Sequence, residues 1–280
     1  MRETTIAELG PNFPIGFPDD NGKLIKPFTL RPYKARIDRH LGHWREANEG
    51  RSITYLVAKL MSMVVSQAGP HQLPLDKDGD STAEGELGVS QWFFSDVMYA
   101  YVWARIKSLD PFLWLPVKCP VCPFSAPRVK FDLRTCTVFV AESLEDMRRE
   151  VTLRDGFPLR GGKETVKAVT LQPVKWAALY DDGAIGTAIT SSSYVQLQSA
   201  IRAINGSDNP YTPLVEELDE ASRVDMLLMD RGSNIVSAGL DLETSITCPG
   251  VKDEECGFDI TEKLDWSFDS FFDSSFQLEN

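Results

Sequence analysis

The 280-residue sequence is short of the residues most enzymes work with. It has only 3 histidines and 5 cysteines. No G-x-S-x-G, H-E-x-x-H or G-x-G-x-x-G pattern occurs, so nothing signposts an activated serine, a catalytic zinc or a dinucleotide. Long apolar runs are lacking too. The most apolar stretch, Tyr55 to Val65, is interrupted by Lys59 and falls well short of the roughly 20 residues a bilayer requires. The opening MRETTIAELG has an acid at Glu3 and no apolar stretch behind it, so no secretory signal is expected. Positive charge is scarce: 29 basic against 41 acidic residues give a net charge of −12. That balance disfavours nucleic acid or an anionic membrane as the main partner and leaves another protein as the better fit. Five cysteines cannot all pair, and in a reducing compartment ligation of a metal is the commoner use of clustered thiols.

What is present describes an ordinary folded chain, with 42% hydrophobic and 25% charged residues. Asp19, Asp20, Asn21 and Gly22 predict a hairpin turn between Ile15-Gly16-Phe17 and Leu24-Ile25, and five prolines between Pro11 and Pro32 exclude a helix there. Ile37, Leu41 and Trp44 predict a helix over 34–46. A second, capped by Ser52, carries Ile53, Leu56, Leu60, Met63 and Val64. Residues 69–88 read as a surface loop. A strongly apolar helix from Ser90 to Leu109 is expected to be buried on more than one side. Strands are predicted at 113–118, 128–133, 138–140, 151–153 and 166–171, two helices between Pro173 and Ile204, a helix over 216–230, and strands at 240–247 and 257–261. The tail places Trp266, Phe268, Phe271, Phe272 and Phe276 among Asp265, Asp269 and Asp273, a composition that suits either core or a docking peptide.

The cysteines carry the sharpest signal. Lys118-Cys119-Pro120-Val121-Cys122 joins two predicted strands, and Thr247-Cys248-Pro249 leads through a longer turn to Cys256-Gly257 and another strand. Each setting is strand, Cys-Pro, turn, Cys, strand. Such hairpin tips are zinc knuckles, and two of them complete a four-sulfur site, so Cys119, Cys122, Cys248 and Cys256 are the candidate ligands of a structural zinc. Unligated thiols are the plainer alternative. A thioredoxin-like site would need the C-x-x-C to open a helix, and Pro123 and Pro127 argue for a turn instead. Cys136 is expected to be an apolar core residue.

Other patterns fall short of a site. Asp76, Asp78 and Asp80 alternate like early calcium-loop ligands, but the sixth position is Ser81 and the twelfth Leu87, so a solvated acidic loop is expected. His40 and His43 share a predicted helix face without a third ligand, and surface placement is expected. Gly156 to Thr165 resembles a phosphate loop only superficially and reads as a hairpin turn.

Taken in order, these elements resemble a known family. A large apolar helix ends in Trp103-Ala104-Arg105-Ile106-Lys107 and runs into a cysteine knuckle and then Phe131-Asp132-Leu133; later come an acidic helix, a second knuckle, and Asp265-Trp266 with Phe271-Phe272. This resembles the T-even-type bacteriophage baseplate protein family, whose members also occur in contractile injection systems, over residues 50 to 275. The resemblance implies a non-catalytic component of a tail baseplate or hub in the virion tail, assembled in the host cytoplasm. It would bind other tail or baseplate proteins, with no nucleic acid, membrane or small-molecule substrate. An assembly chaperone released from the particle and a zinc-ribbon nucleic-acid regulator are the alternatives. The expected fold is α+β, helices packed with antiparallel hairpins. The expected organisation is an amino-terminal extension over 1–50, a domain over 51–263 closed by the knuckles, and a tail over 264–280.

Overall fold

The computed structural model describes residues 1–49, 51, 53–159, 162–179, 197, 200–206, 215–235, 238–241, 243–251 and 256–263. The fold is α+β, and the strand pairs among the described residues are antiparallel. The first strand, β1 (Arg2–Thr5), runs into one helical turn, α1 (Ile6–Leu9), whose Thr5 and Glu8 form a reciprocal capping box. The hairpin β2 (Asn12–Pro18) and β3 (Leu24–Leu30) follows as expected, with Asp19 accepting the amides of Asn21 and Lys23 in its turn. Helices α2 (Ala35–Ala47) and α3 (Ile53–Val64) match the predicted pair. Strands β4 (Val65–Ala68) and β5 (His71–Gln72) then complete a four-stranded sheet in the order β2-β3-β4-β5.

The expected loop over 69–88 is only partly a loop. Besides β5 it contains most of α4 (Ala83–Ser90), started by Thr82, whose hydroxyl accepts the Gly85 amide at 3.1 Å. Ser90 therefore ends a helix rather than capping one. The chain breaks at Phe93, which is extended, and the large apolar helix α5 begins at Phe94 and runs to Ser108. Val97 and every residue from Tyr99 to Arg105 are buried, so α5 is enclosed on several sides as its composition predicts.

Strands β6 (Phe112–Lys118) and β7 (Ser125–Asp132) form a hairpin, and β8 (Thr137–Val140) lies between β1 and the later β12 (Gly239–Leu240). A second three-stranded sheet, in the order β11-β10-β9, is built from β9 (Arg149–Leu159), β10 (Glu164–Leu171) and β11 (Ile201–Ile204). Its β9–β10 turn confirms the hairpin reading of the glycine-rich stretch. Residues 201–204 are thus a strand where a helix was expected, because pairing with β10 and burial of Ile201, Ala203 and Ile204 outweigh local helical spacing. The predicted helix over 216–230 is two, α6 (Val215–Asp219) and α7 (Arg223–Ile235). A last hairpin pairs β13 (Glu243–Thr247) with β14 (Asp259–Lys263).

One core gathers α3, α5 and the first strands, including Phe13, Phe28, Leu60, Tyr99 and Val138. A second gathers β9, β10, β11 and α7 around Phe157, Val166 and Met229. A bridge of Ile15, Leu24, Ala141, Met147 and Ala238 joins residues from both ends of the chain. Ile6, Phe13, Phe28 and Ile37, from the described residues 1–49, are buried in the first core. No helix among the described residues is long and apolar enough to cross a membrane.

Candidate metal centre

The two cysteine-bearing turns lie at the tips of the β6–β7 and β13–β14 hairpins. Proline after the first cysteine bends each chain out of its strand, and the ladder closes again when the Cys119 amide reaches the Phe124 carbonyl at 3.0 Å and the Cys248 amide the Phe258 carbonyl at 2.8 Å. Inside each turn an amide two residues on points back at the sulfur: Val121 N–H to Cys119 Sγ and Gly250 N–H to Cys248 Sγ, both at 3.4 Å. The tips meet. Cys119 Sγ lies 3.9 Å from Cys256 Sγ, and Cys122 Sγ lies 3.5 Å from Cys248 Sγ. All four sulfurs fall within 4.8 Å of one another.

These distances decide what the cluster can hold. All five cysteines are free thiols. Four sulfurs placed about 2.3 Å from a central ion at tetrahedral angles stand about 3.8 Å apart, which the observed 3.5 and 3.9 Å bracket. The four side chains therefore fit a tetrahedral metal ion. Cys119 and Cys248 are buried while Cys122 and Cys256 are half-buried, and buried Val117 and Ile260 pack with them in one small apolar cluster. Burial pushes the Cys119 thiol up, but the amides of Val121 and Cys122 and the neighbouring sulfurs outweigh it and hold it at about 7. Its opposite number Cys248 is pushed up to about 12 by burial and by the competing thiols around it.

The C-x-x-C sits in the short connection between two antiparallel strands, a setting compatible with a knuckle and unlike the strand-to-helix junction of a thioredoxin-like site. Cys136 is buried in the first core, as expected, and its thiol is pushed up to about 12 chiefly by burial. Trp266, Phe268, Phe271, Phe272 and Phe276 lie outside the described residues.

The remaining sequence candidates resolve into ordinary contacts. Asp76 Oδ1 accepts the amides of Asp78 and Asp80 at 2.8 and 2.9 Å, so the alternating acids stabilise their own turn. Asp80 faces Lys59 at 2.5 Å and His40 Nδ1 at 3.4 Å; burial opposes its ionisation, but the Lys59 bond wins and holds the carboxyl below its ordinary range. His43 is exposed. Among the described residues, the cysteines are the one converging group of three or more metal-ligating side chains.

Two carboxylates escaped the sequence reading. Asp96, fully buried on α5, accepts the amides of Ile15 and Gly16, each at 2.9 Å. Asp225 on α7 accepts those of Arg154, Asp155 and Gly156 at 2.6, 3.1 and 2.8 Å. Both pin a glycine-containing strand to a helix, a long-range relation that no local pattern announces. Comparison with protein-family models, curated proteins and solved structures gives no match for this chain. Fold and site together describe an α+β protein with a tetracysteine centre.

Proposed function

We propose that this chain is a non-catalytic structural component of a phage-type tail baseplate or hub, held rigid by a zinc ion on Cys119, Cys122, Cys248 and Cys256. The convergence of the four sulfurs carries the reading. A four-sulfur site leaves no position open on the metal, so zinc there braces the fold and activates no water. Bracing across two distant hairpins suits a subunit that transmits load between neighbours. The order of elements, from the apolar helix through the two knuckles, supports the baseplate assignment through the family it resembles. The net charge of −12 suits recognition by other tail proteins over nucleic acid.

Mass spectrometry of purified particles tests this. The chain is expected in assembled tails at a fixed ratio to the other baseplate proteins. Its presence in lysate together with its absence from particles would instead identify an assembly chaperone.

A further inference from the structure

Charge is unevenly placed along this chain. It carries 41 acids in all, yet none falls between Asp110 and Asp132, a stretch that holds Lys118, Arg128 and Lys130 together with Phe112 and Trp114. That stretch is the β6–β7 hairpin with its cysteine-bearing tip. In a protein of net charge −12, such a block reverses the surface potential locally.

Strand alternation sorts the hairpin into two faces. Leu113 and Phe131 are buried in the first core, and Val117 in the cysteine cluster. The opposite face carries Phe112, Trp114 and Lys118 from β6 and Arg128 and Lys130 from β7, with Trp114 and Lys130 paired directly across the ladder. Lys118, Arg128 and Lys130 are exposed, and so is 45% of Trp114.

The rings hold the cations in place. Lys130 Nζ stands 3.6 Å from the centre of the Phe112 ring, and the Arg128 guanidinium 5.4 Å from that of Trp114. At the end of the ribbon Arg134 pairs with Asp132 at 2.7 Å, which closes the patch. Among the described residues neither Lys118 nor Lys130 has a carboxylate partner. Arg128 and Lys130 therefore lie roughly 7 Å apart along one extended strand, with an exposed indole beside them and a third cation on the neighbouring strand.

We propose that the outer face of the β6–β7 hairpin docks an extended acidic segment of a partner protein. Acids at alternate positions of an extended chain repeat at the same spacing of roughly 7 Å, so two of them can face Arg128 and Lys130 in register. Trp114 adds the large contact area that dominates such interfaces. Cations already held against rings reduce the ordering cost of binding. Nucleic acid suits the face less well. Phe112 and Trp114 each present a ring to a cation of the protein, where a base would stack, and a strand of phosphates running past these cations meets an acidic chain. The assignment goes beyond the baseplate reading and does not rest on it.

Fluorescence anisotropy on the full-length protein, with a labelled peptide of about ten alternating Asp and Thr residues, tests the assignment. Saturable binding is expected, weakening as salt is raised from about 50 to about 500 mM. Arg128→Glu with Lys130→Glu should weaken it on the order of 10-fold, and the milder Arg128→Gln with Lys130→Gln about 3-fold. Lys23→Glu with Lys163→Glu makes the same change of net charge at exposed cations elsewhere and should weaken it less than about 2-fold. All of these side chains are exposed, so thermal midpoints should stay near that of the wild type. Absence of saturable binding to the wild type, or equal losses in the two charge-reversed pairs, overturns the proposal. Tighter binding of an oligo-dT of the same length overturns it in favour of a nucleic-acid face.

Discussion

Cys122 and Cys248 stand 3.5 Å apart at sulfur although 126 residues separate them in sequence. A shared ion at that point ties two distant hairpins and closes the whole intervening chain into one loop, which removes conformational freedom from the unfolded state. Purified protein is therefore expected to carry about one equivalent of zinc per chain by metal analysis. Less than about half an equivalent in chelator-free buffer would count heavily against the site. Cys248→Ser should lose the metal and lower the thermal midpoint, whereas Cys136→Ser should keep the metal while disturbing the apolar core.

Asp96→Asn leaves the Ile15 and Gly16 amides with a single carbonyl oxygen in place of two carboxylate oxygens. Stranding a buried donor costs about 1 to 3 kcal/mol, which urea denaturation would resolve. Asp225→Asn should cost at least as much, because three amides converge on that carboxylate.

The same two acids predict opposite pH behaviour. Burial pushes the Asp96 carboxyl up to about 7, against the pull of the Ile15 and Gly16 amides and of Lys26. Between the ordinary carboxylate range and about 7, the folded form holds a proton that the unfolded form has lost, so its contribution to stability falls as pH rises through that window. For Asp225, burial is outweighed by the amides of Arg154, Gly156 and Asp155, which hold the carboxyl below its ordinary value. Its contribution is present above the carboxylate range and is lost on acidification. Denaturation midpoints across pH 4 to 7 should flatten in Asp96→Asn relative to wild type, after the common background from other groups is subtracted.

Gly16→Ala should be among the most damaging single changes. An added Cβ would lie 2.5 Å from the Ile25 carbonyl oxygen at a φ of +83°, and at Gly156 it would overlap the Val166 carbonyl oxygen. Each should cost more than about 2 kcal/mol, whereas Gly22→Ala, at positive φ in open space, should cost about 1 kcal/mol. Thermal unfolding of the three variants checks the order.

The local signals in the sequence were good guides to local structure. The first hairpin, α2, α3, the enclosure of α5 and both cysteine knuckles follow from turn residues, apolar spacing and Cys-Pro steps, each of which acts within a few residues. Where neighbours in space overrode neighbours in sequence, the reading failed. Ser90 has the chemistry of a cap, yet Thr82 starts the earlier helix and leaves Ser90 at its end. Ile201 to Ile204 has spacing compatible with a helix, yet β10 supplies partners that only a strand can use.

The sequence by itself determined which four sulfurs belong together, because each pair sits in a strand–Cys-Pro–turn setting whose geometry is local. Only the tertiary structure decided that the two tips meet within bonding reach of one ion, and that Asp96 and Asp225 each hold a distant glycine-bearing strand by its amides. Those relations are set by packing between elements far apart in the chain, where the energy of a buried carboxylate or a shared cation depends on partners that local spacing does not reveal.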